Sequence, residues 1–98
     1  MKHTNHSRAK AIKELFGVFS KLRTKNEFLK FFYDLCTREE IEEMAGRWQA
    51  ARLIDKDVPY RTIAKKTGLS TATVTRVAQW LNHGNNGYRL VIRRTKRK

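Results

Sequence analysis

Between Pro59 and Leu81 the chain reads PYRTIAKKTGLSTATVTRVAQWL, and that order of residues leaves few folds open. It predicts two short helices joined by a tight turn, a helix-turn-helix. Tyr60 to Lys66 forms the first helix, Thr67-Gly68-Leu69 the turn, and Ser70 the N-cap of a second helix from about Thr71 to Leu81. Gly68 stands where the chain must reverse, and without a Cβ it tolerates a left-handed conformation. Ala64, four residues earlier, keeps the crossing point small. Ile63, Leu69, Val74, Val77 and Leu81 form the expected buried set, the last three at helical spacing. The other face of the second helix carries Thr71, Ala72, Thr75, Arg76 and Gln79, with no carboxylate. Such a face suits a DNA groove, where an acid would be repelled by phosphate and a bulky side chain would block entry. An ordinary helical hairpin explains two packed helices with a glycine between them. It accounts less well for the small crossing residue, the glycine at the turn, the cap and the acid-free face together.

Charge points the same way. The 98 residues form one expected domain with a formal net charge of +13, from 22 Lys and Arg against 9 Asp and Glu. A chain so basic seeks phosphate or an anionic membrane. Arg93, Arg94, Lys96, Arg97 and Lys98 supply five of those charges, yet the rest remains basic. The one cysteine, Cys36, permits no intrachain disulfide and reads as a small core residue. No run approaches the roughly 20 apolar residues of a membrane span, and nothing resembles a signal peptide, so a cytoplasmic location is expected with no membrane partner. His3 and His6 lack companions for a metal site, and no nucleophile with a base and an orienting group is visible, so no metal and no enzymatic activity are expected.

The remaining chain reads as helices. Residues 1–7 and 95–98 are expected to be disordered tails. Ile12, Leu15, Phe16, Phe19 and Leu22 make one helical stripe from about Ser7 to Arg23. Thr24 to Glu27 fits a capping box opening a second helix to Leu35, apolar around most of its circumference. Thr37 to Glu40 is a second such box. The helix that follows runs to about Lys56, with Ile41, Met44, Ala45, Trp48 and Ala51 as its expected buried face. Asn82 to Gly87 is a break, read as a plain turn, and residues 88–94 form a short last helix. A helix apolar on most sides needs cover on most sides, and a second copy of the chain is the economical source. Residues 8–56 are therefore expected to be dimerisation helices. The competing arrangement is a monomer in which the first and third helices sandwich the second.

LCTREEIEEMAGRWQAARLI followed by IAKKTGLSTATVTR resembles the Trp repressor superfamily. FFYDLCT, TGLSTATVTR and LNHGNNGY resemble more closely its Trp-repressor-like branch of small bacterial proteins, over roughly Ile12 to Ile92. The resemblance implies an all-α fold of five to six helices and an intertwined homodimer. Its second helix-turn-helix helices would enter successive major grooves of a palindromic operator. It implies Arg61 as a phosphate contact, and Thr71, Ala72, Thr73 and Thr75 at bases, phosphates and bridging waters. It also implies an L-tryptophan corepressor pocket, in which Arg47 and Arg76 match the two arginines that sandwich the indole and Thr37 matches a nearby threonine. Val77 and Trp80, however, stand where the repressor has glycine and serine. Free tryptophan is therefore not expected to bind, and no cofactor is expected. Either Trp80 itself fills the pocket between the arginines, or it is a core residue and both arginines pair with acids or phosphates.

The sequence thus predicts a dimeric, sequence-specific regulator of transcription, a repressor, acting on double-stranded DNA. Arg61, Lys65, Lys66 and Arg76 would neutralise phosphates, and Ser70, Thr71, Ala72, Thr75 and Gln79 would face base edges. The alternatives are a sequence-indifferent, architectural nucleic-acid binder and a protein-interaction module whose basic tail meets an acidic partner.

Overall fold

The computed structural model describes the backbone of residues 5–96 and the side chains of residues 7–96. Met1 to Thr4 and the last two residues lie outside it, and so does most of what was expected of the tails. Six helices and no strands occur among the described residues: α1 Asn5–Phe19, α2 Lys25–Leu35, α3 Arg38–Asp55, α4 Tyr60–Thr67, α5 Thr71–His83 and α6 Gly87–Lys96. The all-α expectation holds. The helices fall into two compact units, one ending at Thr37 and the other beginning at Arg38.

The N-terminal unit holds α1 and α2. α1 begins at Asn5, earlier than the sequence suggested, and ends at Phe19, not near Arg23. Its end is tightened by short bonds: Lys21 N–H donates to Val18 O at 2.9 Å and Ser20 Oγ–H to Gly17 O at 2.7 Å. The capping box at α2 forms. Thr24 Oγ1 accepts from Glu27 N–H at 3.1 Å, and Glu27 Oε1 accepts from Arg23 N–H, one residue before the cap, at 2.7 Å. Phe19 joins the two helices, stacking on Phe32 at 5.5 Å and meeting Phe31 and Phe16 edge-on at 6.0 and 5.3 Å. None of the described side chains from Ser7 to Thr37 is buried. Ile12, Phe16, Leu29, Tyr33 and Leu35 are all 46 % exposed or more. The apolar stripe exists as expected, yet it is surface in the single chain. Cys36 is half-buried rather than a core residue.

The C-terminal unit has the core. Ala50 and Ala51 of α3, Ile63 of α4, Val74, Val77 and Leu81 of α5 and Ile92 of α6 are buried together. Leu69 and Ala64 pack against them half-buried, so the expected helix-turn-helix core is present. The expected face of α3 is met in part: Ala51 is buried and Trp48 packs half-buried against the core, but Gly46 and Ala50 are buried as well, whereas Met44 and Ala45 are exposed and Ile41 is half-buried. The reason is close approach. A Cβ on Gly46 would sit 3.3 Å from Leu69 Cδ2, so the small residues of α3 receive the helix-turn-helix most closely, with Trp48, Leu53 and Ile54 packed around them.

α3 stops in a Schellman motif. Val58 N–H donates to Leu53 O at 3.1 Å and Asp57 N–H to Ile54 O at 2.9 Å. Asp57 is the left-handed residue of that motif, at φ 61°, where glycine carries no steric cost. An aspartate there also places negative charge beside the negative end of the helix dipole. Asp57→Gly is expected to stabilise the fold by about 0.5–1 kcal/mol, raising Tm by about 3–6 °C in a thermal melt. An unchanged or lower Tm would show that Asp57 is held by something other than this turn.

α6 is longer than expected. Tyr88 and Ile92, one turn apart, face the core, while Leu90 and Val91 are exposed. Thr95 and Lys96 belong to the helix and are not a loose tail, because Lys96 Nζ reaches Asp55 Oδ2 at 2.7 Å.

Candidate nucleic-acid interface

α4 and α5 are joined by a turn that is hydrogen-bonded through both backbone and side chains. Gly68 adopts φ 78° and its N–H donates to Ala64 O at 2.9 Å. Thr67 Oγ1 donates back to Ile63 O at 2.8 Å and accepts from Leu69 N–H at 3.2 Å. Ser70 caps α5 through Oγ, which accepts from Thr73 N–H at 3.0 Å and donates to Thr73 Oγ1 at 3.0 Å. The hydroxyls of Ser70 and Thr73 thus serve the cap first. Ser70 Oγ keeps only a lone pair for any outside donor.

The outward face of α5 is open. Thr71, Ala72, Thr75, Arg76 and Gln79 are all exposed, on the side opposite buried Val74, Val77, Ala78 and Leu81. Thr75 Oγ1 donates to Thr71 O at 3.0 Å, which fixes its rotamer with the methyl and lone pairs outward. Arg61 in the first turn of α4, Lys65 and Lys66 in its last and Arg76 on α5 are exposed and form no ion pair among the described residues. No carboxylate side chain occurs anywhere from Val58 to Lys98, a stretch with ten Lys and Arg. That longer acid-free run is legible in the sequence and marks everything beyond α3 as electropositive, not α5 alone.

Arg47, Arg76, Trp80 and Thr37 were expected to share a pocket. The structure brings two of them together. The Arg47 guanidinium lies 5.6 Å from the centroid of the Trp80 ring and is fixed from its other end by Glu43, at 2.5 Å. Arg47 Nε is buried without a hydrogen-bond partner. Arg47 also stands near Tyr88, whose hydroxyl is pushed above its ordinary pKa by burial, with the guanidinium opposing that shift. Trp80 is 44 % exposed, so it is not a core residue. Among the described residues Arg47 alone lies over its ring. Arg76 is exposed on α5, and Thr37 belongs to the N-terminal unit, one residue before α3.

Among the described residues no cluster of His, Cys, Asp or Glu could hold a metal ion, and no helix is long and apolar enough to cross a membrane.

Residues 10–96 match the family described as Trp repressor protein. The chain is 39 % identical to YerC of Bacillus subtilis (strain 168), described as uncharacterized, over 91 % of this chain and 86 % of that one. The crystal structure of a TrpR-like protein from Eubacterium eligens ATCC 27750 superposes with a TM-score of 0.84 at 37 % identity, covering 96 % of this chain and 97 % of that one. A Staphylococcus aureus crystal structure does so with a TM-score of 0.82 at 34 % identity, covering 98 % of both chains. With a capped, acid-free helix-turn-helix at its centre and a family match over nearly all its length, the chain belongs to the Trp repressor family.

Proposed function

We propose that the protein is a sequence-specific, DNA-binding repressor of transcription that works in the cytoplasm and reads a palindromic operator as a homodimer. The observation that carries this reading is the outward face of α5: rigidly capped, uncovered and without an acid. Arg61, Lys65, Lys66 and Arg76 bind phosphates. Thr71, Ala72, Thr75 and Gln79 meet base edges, Gln79 being able to pair with adenine, while Ser70 and Thr73 hold the helix start in place. The second copy answers the one clear deficit of the fold. A unit with no buried side chain among its described residues and five large apolar residues at least 46 % exposed is unstable alone in water, and an identical unit supplies the missing cover. Residues 8–56 therefore contain the dimerisation helices.

Tryptophan is not needed in this reading. The indole of Trp80 already lies under Arg47 and ties α5 to α3, the place where a free indole would otherwise go. Selection of bound sequences from random DNA, with and without added tryptophan, tests both statements. A two-fold symmetric consensus is expected, unchanged by tryptophan. With four phosphate-facing cations on each of two copies, affinity should fall by about 10³–10⁵ between about 50 and 200 mM salt. Equal binding to every sequence would favour the architectural alternative. A consensus that appears only with tryptophan would overturn the role given to Trp80.

A further inference from the structure

The reading helix must keep its pitch, and its two ends are held differently. Its first turn is fixed by the Ser70 cap and the Gly68 turn. Its last turn, by contrast, is packed through buried Leu81 alone on one side and there borders an open groove of about 490 Å³ lined also by the α3–α4 connection and Arg89 of α6. One polar bridge runs along that space. Arg89, on α6, donates from Nη2 to Asn82 Oδ1 on α5 at 2.8 Å, and its Nη1 lies 3.6 Å from Asp55 Oδ1 at the end of α3. Each partner is itself anchored. Asn82 Nδ2–H donates to Ala78 O at 3.0 Å, and Asp55 receives Lys96 Nζ at 2.7 Å. The Asp55 side chain is 17 % exposed, and the hydrogen bond from Lys96 holds its carboxyl below the usual range, so it is charged whenever the protein is folded near neutrality.

We propose that Arg89 is a positioning residue for DNA reading: it braces the C-terminal turn of α5 against the end of α3 without touching DNA itself. This rests on the DNA-reading function proposed above. The guanidinium is suited to the task because its planar fork meets two acceptors on two different elements, which a lysine ammonium on its flexible stem does not do with the same geometry. When the brace is cut, α5 samples orientations in which its outward face no longer fits the groove. Apparent affinity then falls by the lost fraction of competent molecules.

The test is a double-mutant cycle on the full chain. Arg89→Lys, which keeps the charge, and Asn82→Ala, which removes the acceptor on α5, should each weaken operator binding about five-fold, the scale of one exposed charge-assisted bridge. The double variant should be no weaker than either single one, because both cut the same link. The slope of log affinity against log salt should stay at the wild-type value in all three. A slope lower by about one would mean that Arg89 meets a phosphate directly, and would overturn the proposal. So would wild-type affinity in either single variant, or losses that add in the double. Should Arg89→Lys fail to fold, Asn82→Ala at an exposed residue carries the same test, with slower amide exchange at the end of α5 in wild type than in the variant as its second readout. A wild-type chain that binds no DNA at all defeats the parent reading. A wild-type chain that binds while Arg89→Lys binds equally well defeats the brace alone.

Discussion

Thr75→Glu is expected to abolish operator binding, by 100-fold or about 2.7 kcal/mol at the least, while leaving the fold intact. Thr75 lies at the centre of the outward face of α5, exposed, with no contact to the core. Its one internal bond, to Thr71 O, is a side-chain-to-backbone bond that a helix does not need. Glutamate has the higher helix propensity, so the thermal melt should be unchanged or slightly raised. The new carboxylate would sit in a stretch otherwise free of acids, on the surface meant to lie between two phosphate backbones. It would lose its hydration there and meet like charge on both sides. Gel shifts at fixed salt, with circular dichroism on the same samples, separate the two effects. Full affinity with a native melt would show that this face of α5 does not enter the groove.

What the sequence made legible was set by the range of the interactions involved. The helix-turn-helix rests on contacts within a few residues: the Gly68 turn, the Ser70 cap and the alternation of Val74, Val77 and Leu81 against Thr71, Thr75 and Gln79. Those signals are written locally, and the structure reproduces them nearly residue for residue. The buried face of α3 is only partly legible, because residue size does not mark burial there. Met44 and Ile41 are larger than Gly46 and Ala50, but the helix-turn-helix settles where α3 is thin. Nothing within α3 says that; it depends on Leu69, more than twenty residues on. The length of α6 was missed for a similar reason. Thr95 and Lys96 look like a basic tail until Asp55, forty-one residues earlier, is placed beside them. The aromatic stripe of α1 and α2 was read correctly as a pattern, yet a pattern does not say what covers it. Of the four residues matched to a ligand pocket, the pairing of Arg47 with Trp80 depended on the crossing of α3 and α5, which spacing alone does not give.

That thin place on α3 yields the largest expected effect on stability. Gly46 is buried, and a Cβ there would lie 3.3 Å from Leu69 Cδ2, 3.5 Å from Leu69 Cγ and 3.7 Å from Thr67 O. Gly46→Ala sets two small terms against each other. Alanine gains about 1 kcal/mol over glycine within a helix, and the half-buried Leu69 side chain gives way by a few tenths of an ångström. The expected change in Tm is small. Gly46→Val is different, because its two further carbons point at the turn itself. Leu69 cannot yield to both, and the Thr67 carbonyl cannot move without disturbing Gly68 and the bonds of Thr67 Oγ1 to Ile63 O and Leu69 N–H. Overpacking at a backbone of this kind costs about 2–3 kcal/mol, and the β-branched side chain adds a little more. For a chain of this size that is a fall in Tm of about 10–20 °C. Because α3 and the turn are pushed apart at the base of α5, DNA affinity should fall along with it, whereas Gly46→Ala keeps both. A valine variant that melts with the wild type would mean that α3 does not approach the helix-turn-helix at Gly46, and the close contact that sets the angle of α5 would have to lie elsewhere.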